Sequence, residues 1–477
     1  MQVLSITSEV FPLVKTGGLA DVAGALPAAL AAHGVHVRTM LPGYRTVMER
    51  LPKATNALHS YRNLFGGPAR VVACRLEGLD LLILDAPHLF DRAGGAYGDG
   101  TGIDWDDNWR RFAVFGRAAA DVASGKLSSW CPDIVHAHDW QAAMALAYLR
   151  YGDVPTPSVM TVHNLAFQGQ FAASIFPELG LPPEAMTIDG VEYFGGVGFL
   201  KAGLQAASAI TTVSPTYAQE IRTPQFGMGL DGLINLRKEK LTGILNGIDI
   251  KHWDPETDVH LTAPYGPKTL KTRAINRRTV EERFQLEVDN SPLLAVVSRL
   301  TWQKGIDILA SEIDRLVALG VRLAILGAGD AGLEGALLAA SARHHGRVGA
   351  IIGYDEALSH LMQGGADAIV IPSRFEPCGL TQLYGLRYGC VPVVARTGGL
   401  ADTVIDANHA ALAAGVATGF QFESGSGDAI VEAASRLQRV YAEPARWAKM
   451  QLQGMKTNVS WETSAGEYAR LFRSLVT

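Results

Sequence analysis

Short apolar runs rich in β-branched residues alternate with longer helical patterns along the whole chain, and this alternation constrains the fold most. Runs that are apolar on both faces and separated by helices predict parallel sheets with helices on both sides. Because 477 residues exceed one ordinary core, we expect two doubly wound α/β domains. The predicted strands are Val3–Thr7, Val35–Met40, Leu81–Leu84, Ile134–Ala137, Ser158–Val162, Ala209–Val213, Leu294–Val297, Arg322–Leu326, Val348–Ile352, Ala368–Ile371 and Val391–Val394.

The charge balance narrows the class of ligand. The formal net charge is only −5 and no basic stripe is present, so we expect no nucleic-acid partner, whereas a neutral polymer or a small molecule fits. The segment Met1–Glu9 lacks the cationic start of a signal peptide, and no apolar run is long enough to cross a bilayer. Four cysteines without a CxxC pair indicate reduced thiols in a cytoplasmic protein.

One six-residue segment occurs twice. Thr-Gly-Gly-Leu-Ala-Asp stands at 16–21 and again at 397–402, each time after a strand and a basic residue, Lys15 or Arg396. The repetition suggests two related halves, each presenting a helix end opened by glycines. In open parallel sheets such ends lie at the carboxyl edge of the strands, where ligands bind. A common turn before a helix is the alternative.

The first copy predicts an anion site. Lys15, Gly17 and Gly18 place a cation and two small residues before a helix, where amide groups and the helix dipole favour negative charge. A phosphate or a polarised sugar would suit this position. A strand-to-helix turn with a solvated lysine explains the same residues equally well.

The second half offers two further candidate anion sites. Arg299 and Lys304 flank a turn after an apolar strand and suit a pyrophosphate, although a solvated loop pair is the alternative. Glu376 precedes a predicted helix start, where it would accept hydrogen bonds from sugar hydroxyls or simply cap the helix. The amides predicted to bind an anion there are those of Gly379, Leu380 and Thr381.

Histidines end two strands of the first half. His136 and His138 have the spacing of a metal-binding pair, but no third ligand stands at suitable spacing, so structural or sugar-contacting roles are favoured over a metal. Asp139 is placed to polarise a hydroxyl or pair with a cation, and His163 ends the next strand.

A GxGxxG motif at Gly327–Gly332 supports a rival interpretation, a dinucleotide-dependent oxidoreductase, with Asp355 as the ribose-binding acid. The motif follows the second strand of its domain rather than the first, and it leaves Lys15 and Glu376 unexplained. A non-catalytic glucan-binding protein is a third interpretation, which would need no Arg299.

Several motifs resemble those of the bacterial glycogen synthases and plant starch synthases, glycosyltransferase family 5. They occur in the order of that family from Lys15 to Leu400 and therefore cover most of the chain. The motifs are Lys15–Leu19, His136–Trp140, Thr161–Asn164, Asn246–Asp249, Ser298–Gly305, Pro372–Leu380 and Thr397–Leu400.

The resemblance implies a GT-B fold: two Rossmann-like domains facing across a deep cleft. It implies an acceptor-side domain at 1–245, a donor-side domain at 246–457 and a helix at 458–477 that crosses back to the first domain. The implied reaction is retaining transfer of glucose from ADP-glucose to an α-1,4-glucan such as glycogen, without a metal or other cofactor. We expect a cytoplasmic monomer or weak homo-oligomer.

The resemblance also implies roles for residues that match the family motifs. Arg299 and Lys304 would neutralise the departing diphosphate, Lys15 would contact the phosphate or sugar region, and Glu376 would hold glucose hydroxyls. His163 would support the reacting sugar. The other residues implied near the donor are Asp139, Asn246, Tyr354 as the adenine-stacking ring, and Gly17, Gly18, Cys378, Gly379, Leu380 and Thr381. Many retaining GT-B enzymes carry a second glutamate where this chain has Tyr384, which leaves the ribose contact unassigned.

Overall fold

The computed structural model describes residues 1–52, 55, 57–125 and 130–476. The chain divides into two compact units. The first runs from Met1 to Asn246 and includes the segment from Trp461 onward, and the second is Gly247–Ser460. The roles predicted for the domains do not follow from this division and stay predictions.

The first unit is built on a nine-stranded sheet in the order β12-β11-β7-β6-β1-β2-β5-β4-β3. The strands from β12 to β5 in this order pair in parallel. A small antiparallel sheet has the order β8-β10-β9. The strands are β1 Gln2–Ile6, β2 His36–Pro42, β3 Ala57–Leu64, β4 Gly67–Leu76, β5 Leu79–Asp85, β6 Ile134–His138, β7 Ser158–Val162, β8 Gln170–Phe171, β9 Glu192–Tyr193, β10 Gly196–Gly198, β11 Ala209–Thr212 and β12 Leu241–Gly243.

The prediction of a purely parallel sheet is wrong at one edge. Strands β3 and β4 pair antiparallel with each other, and β4 pairs antiparallel with β5. The turn between β3 and β4 has positive φ at Phe65 and Gly66, as two-residue hairpin turns require. Most residues of β3 are exposed and several are polar, so its sequence lacks the continuous apolar run that identified the buried strands.

Helices cover the central strands of this sheet. Helix α5 is almost entirely buried and lies between its neighbours α4 and α6. The helices of this part of the chain are α1 Gly18–Ala31, α2 Arg45–Met48, α3 Pro87–Phe90, α4 Asn108–Ala123, α5 Asp139–Tyr151, α6 Phe199–Ala206, α7 Pro215–Glu220 and α8 Asp231–Leu236, with 3₁₀ turns at Ala173–Leu179, Pro183–Ala185 and Lys238–Lys240.

The second unit carries a six-stranded, fully parallel sheet in the order β15-β14-β13-β16-β17-β18. Its strands are β13 Leu293–Val297, β14 Arg322–Gly327, β15 Val348–Ile352, β16 Ala368–Ile371, β17 Val391–Ala395 and β18 Phe420–Phe422. Its helices are α9 Arg273–Arg283, α10 Ile306–Ala318, α11 Ala331–Arg343, α12 Glu356–Gly365, α13 Thr381–Tyr388, α14 Gly398–Thr403, α15 His409–Ala414, α16 Gly427–Tyr441 and α17 Pro444–Lys456, with a 3₁₀ turn at Pro267–Thr272.

The last helix, α18 (Glu462–Val476), belongs to the first unit. Its buried side chains Tyr468 and Phe472 form one apolar cluster with Val22 and Leu26 of α1. In the part of the chain that the structure describes, no helix combines the length and apolarity that a membrane span requires.

Candidate active site

The Lys15 loop follows β1 at the carboxyl edge of the first sheet. The Lys15 ammonium lies 2.9 Å from Asp21 Oδ1 and 5.2 Å from the centre of the Phe11 ring. Thr16, Gly17 and Gly18 are exposed, and α1 begins at Gly18. A methyl group added at Gly17 would meet no atom within 4 Å, so the backbone here is open to a ligand.

Glu9 holds this loop, and sequence reasoning missed its role. Its buried carboxylate accepts hydrogen bonds from the amides of Thr16 at 2.5 Å and Gly17 at 3.2 Å, and from the Thr16 hydroxyl. Tyr97 donates its hydroxyl proton to the same carboxylate. The Gly17 amide, predicted to bind an incoming anion, therefore already has an anionic partner inside the protein.

Buried His136, His138 and Asp139 meet half-buried His163 where β6 and β7 end. His138 Nδ1 lies 2.9 Å from His163 Nε2, and His136 Nε2 lies 2.6 Å from Thr161 Oγ1. Asp139 has a positive φ of 55°, a conformation in which aspartate is enriched, and its carboxylate accepts the His163 amide at 2.7 Å. The structure thus brings together Asp139 and His163, which sequence analysis named separately.

Burial sets the protonation of this cluster. It lowers the pKa of His136 and of His163 to about 3 and that of His138 well below its ordinary value, so all three rings are neutral at pH 7. Burial raises the pKa of Asp139 to about 7, against the hydrogen bonds from the backbone of His163 and Asn164. Because the His163 ring is neutral, it can form an uncharged hydrogen bond with a sugar hydroxyl.

In the second unit the predicted site residues follow neighbouring strands. Lys304, after β13, places its ammonium 2.5 Å from Glu376 Oε2, after β16. Ser373 donates to the same oxygen at 2.9 Å, so Oε1 of the buried Glu376 has no hydrogen bond from a described residue. The exposed Arg299 guanidinium has no hydrogen bond or ion pair within the described part of the chain. The structure therefore groups Lys304 with Glu376 and leaves Arg299 available.

The loop after Glu376 leads into α13. Gly379 adopts φ +72°, and Thr381 is the first residue of the helix. Among described residues, the amides of Gly379, Leu380 and Thr381 have no acceptor, as an anion site requires. Cys378 is buried and forms no disulfide with a described residue, and its carbonyl accepts from Gln382 at 3.0 Å.

The remaining predicted contacts differ in exposure. The Tyr354 ring is 77% exposed, and its hydroxyl donates to Glu356 at 3.0 Å. Asn246 Oδ1 is buried without a hydrogen-bond partner among described residues. Tyr384, in contrast, is a core residue stacked on Trp253 with 3.6 Å between ring centres.

The GxGxxG motif has a structural explanation. A Cβ at Gly329 would lie 2.3 Å from the Leu300 carbonyl oxygen, and Leu300 exchanges backbone hydrogen bonds with Ala328 and Asp330. The small residues therefore let this loop pack against the turn that carries Arg299. The oxidoreductase interpretation loses its main support.

Solved structures resemble this architecture over the whole chain. The catalytic domain of starch synthase IV from Arabidopsis thaliana, bound to ADP and acarbose, matches with a TM-score of 0.86 and 31% identity over 99% of both chains. Sucrose-phosphate synthase from Thermosynechococcus elongatus matches with a TM-score of 0.62 at 18% identity over 99% of this chain and 98% of the other, a likeness of fold alone. The two α/β units thus have the fold of the GT-B glycosyltransferases.

Sequence relatives give the family. The model for the starch synthase catalytic domain matches residues 2–236, and the model for glycosyl transferases group 1 matches residues 278–451. Glycogen synthase from Mesorhizobium japonicum is 68% identical and that from Novosphingobium aromaticivorans 61%, each over 100% of this chain and 99% of the relative. The chain belongs to the glycogen synthase family, as its motifs indicated.

Proposed function

We propose that this chain transfers glucose from ADP-glucose to the non-reducing end of an α-1,4-glucan, releasing ADP and retaining the anomeric configuration. The observation that carries the proposal is the contact of Lys304 with Glu376 at the carboxyl edge of the second sheet, on a turn that also carries the exposed Arg299. Membership of the glycogen synthase family supports glucose and a glucan as the transferred group and the acceptor.

The second unit would bind the donor. Arg299 offers the diphosphate a guanidinium that has no partner among the described residues, and the amides of Gly379 and Thr381 offer further hydrogen bonds. The exposed ring of Tyr354 suits stacking on adenine. The Oε1 oxygen of Glu376 suits a glucose hydroxyl, because Lys304 and Ser373 hold the other oxygen.

The first unit would bind the acceptor and help to neutralise the negative charge of the donor. Neutral His163 suits a hydrogen bond to the reacting sugar, and Asp139 fixes the His163 backbone. Lys15 would leave Asp21 for the sugar-phosphate region, with the exposed Gly17 and Gly18 allowing close approach. The convergence of Lys15 with Arg299 and Lys304 on one diphosphate is a prediction of this proposal.

The chemistry is a displacement at the anomeric carbon of glucose. The bond from this carbon to the phosphate oxygen breaks with its electron pair going to ADP, and the acceptor 4-hydroxyl forms the new bond on the same face. The hydroxyl proton passes to the departing phosphate oxygen. Because negative charge grows on the diphosphate, each preorganised cation is expected to contribute roughly 3 kcal/mol, about a hundredfold in rate.

The test mixes pure protein, glycogen and ADP-glucose and measures ADP release, with UDP-glucose and NAD as control substrates. We expect turnover with ADP-glucose and about a hundredfold loss of kcat in Arg299→Met. Arg343→Met, which removes an exposed arginine paired with Asp314, is the matched control and should keep its activity. Trapping of a covalent glucosyl-enzyme would refute the same-face displacement.

The proposal extends to the state of the protein. We place the enzyme in the cytoplasm as a monomer or weak homo-oligomer, in keeping with four described cysteines that form no disulfide with one another. Light scattering across a dilution series should give a mass close to that of one chain at the lowest concentrations.

A further inference from the structure

A second group of ionisable side chains lies in the second unit beside Tyr354. One ligand atom from each of His252, Glu356 and His360 lies within 4.8 Å of the others. Among the described residues, no other group of three or more His, Cys, Asp or Glu side chains has its ligand atoms close enough to hold a metal ion. Glu356 and His360 stand four residues apart on α12, a spacing that puts both on one helix face. His252 is 104 residues away in sequence from Glu356.

His360 is held in the manner of a metal ligand. Its ring is fully buried, and its Nδ1 lies 2.7 Å from Asp258 Oδ2, which also accepts the Tyr388 hydroxyl at 2.6 Å. When Nδ1 donates its hydrogen to this carboxylate, the neutral tautomer of the ring carries a lone pair on Nε2. That nitrogen is buried and has no hydrogen-bond partner in the described chain. A carboxylate behind a histidine is the usual outer support of a bound metal.

The side chains of Glu356 and His252 are also held in position by neighbouring groups. Tyr354 donates to Glu356 Oε2 at 3.0 Å, and Glu356 Oε1 lies 3.4 Å from His252 Nε2. Asp249 accepts the backbone amides of Lys251 and His252 and so fixes the turn that presents the imidazole. An ion pair between His252 and Glu356 would explain these two residues but leaves the buried nitrogen of His360 unsatisfied.

We propose that His252, Glu356 and His360 bind one divalent transition-metal ion, for which Zn²⁺ is the best match. Two imidazoles and one carboxylate form a ligand set of zinc with the fourth position open, whereas Mg²⁺ and Ca²⁺ prefer oxygen ligands. Zinc–ligand bonds of about 2.1 Å at tetrahedral angles place two ligands about 3.4 Å apart. His252 Nε2 and Glu356 Oε1 already lie 3.4 Å apart, and all three ligand atoms lie within 4.8 Å of one another, so side-chain rotation must close the remaining distance. The partly exposed side chains of His252 and Glu356 allow it.

The three ligands are distinct from the groups that take part in the transfer, and the site borders the proposed adenine position through Tyr354, which orients Glu356. The family resemblance implies that glucose transfer needs no metal, and none of the three ligands is among the residues assigned to the donor or the acceptor. Binding of the ion can therefore be tested whether or not the proposed reaction is correct.

The experiment titrates metal-free, untagged full-length protein with ZnCl₂ in a calorimeter and with CoCl₂ in a spectrophotometer. We expect one site per chain, with the visible absorption of tetrahedral Co²⁺. His252→Ala and Glu356→Gln should each weaken Zn²⁺ binding at least tenfold, because each removes one of three ligands. His345→Ala, which removes an exposed imidazole from the same unit, is the matched control and should bind as the parent does.

A conservative variant separates ligation from structure. His252→Cys replaces one zinc ligand by another, so it should retain binding and add a thiolate-to-Co²⁺ absorption band. The melting temperatures of His252→Ala and His252→Cys without metal should match that of the parent, since His252 is exposed. The proposal is overturned if the parent binds no Zn²⁺, if His252→Ala binds it as tightly as the parent and His345→Ala do, or if His252→Cys gives no new band.

Discussion

The two copies of Thr-Gly-Gly-Leu-Ala-Asp have the same six letters but different surroundings. In the copy at 16–21, the Thr-Gly-Gly residues are exposed and begin a helix of 14 residues. In the copy at 397–402, the same three residues are buried and the helix has six residues. The expectation that both copies present an open helix end is wrong for the second.

The two copies are also held by different groups. The first is fixed by the Glu9 carboxylate, which accepts from Thr16 and Gly17. In the second, the Gly399 amide donates to the carbonyls of Glu376 and Pro377. The first copy therefore presents a loop to solvent, whereas the second supports the loop that carries Glu376. A repeated turn sequence indicates shared backbone geometry rather than a shared role.

The largest expected effect is a difference in stability between alanine variants of Gly398 and Gly17, one glycine from each copy. Gly398 has φ +43°, and an added Cβ would lie 1.9 Å from the Glu376 carbonyl oxygen, so Gly398→Ala should lower the free energy of unfolding by about 4 kcal/mol. Gly17→Ala meets no atom within 4 Å and should cost less than about 1 kcal/mol. Thermal unfolding of both variants measures the difference, and equal destabilisation would remove the distinction.

The next largest effect is a difference in kcat between variants of Lys15 and Arg396, the basic residues that precede the two copies. Lys15→Met should lower kcat by about a hundredfold, roughly 3 kcal/mol, if the ammonium contacts the donor. Its stability should hardly change, because the pair with Asp21 is partly exposed. Arg396 instead donates to the side chain of Gln421 at 3.0 Å, so Arg396→Met should retain kcat within about threefold. Similar kcat losses in both would contradict the assignment of Lys15.

A smaller effect tests the carboxylate that holds the first copy. Glu9→Gln keeps the size of the side chain but presents an amide group to donors, which should cost about 2 kcal/mol of unfolding free energy and lower kcat/KM at least tenfold. Glu77→Gln, at an exposed pair with Arg50, is the matched control and should be near neutral. A Glu9→Gln variant with unchanged kcat/KM would show that the loop needs no such anchor.

The smallest effect is a pH dependence of stability near the first copy. Burial, together with the negative charge of Glu9, raises the pKa of Asp139 to about 7. The folded state then binds the proton more tightly than the unfolded state does, so this carboxyl lowers stability as pH rises. Between pH 6 and pH 8 the loss should be about 1.4 kcal/mol. Asp139→Asn keeps the acceptor and tolerates φ 55°, and removes this slope. Parallel stability curves for variant and parent would contradict the raised pKa.

Much of the fold could be predicted because the buried strands are continuous apolar runs. Ser158–Val162 and Val348–Ile352 have the predicted bounds. The antiparallel edge β3–β4 was missed, since exposed strands alternate polar and apolar residues. Short motifs revealed Lys304 and Glu376, although their contact depends on two separate strand ends meeting.

Other residues carry no local signal. Glu9 is one acidic residue in a loop, and its role arises only when the chain folds back to Thr16. The i, i+4 spacing of Glu356 and His360 is visible in the sequence, but His252 joins them only through the fold of the second unit. The burial of Gly398 under the Glu376 loop is equally invisible in a sequence identical to the exposed copy.

The central claim is that cations from both units bind one diphosphate, and an experimental structure with ADP and a glucan oligosaccharide tests it most directly. The account predicts the Lys15 ammonium and the Arg299 guanidinium each within about 3.2 Å of an oxygen of the bound nucleotide or its sugar-phosphate region. A complex in which Lys15 stays on Asp21, while the diphosphate contacts only the second unit, would contradict the claim.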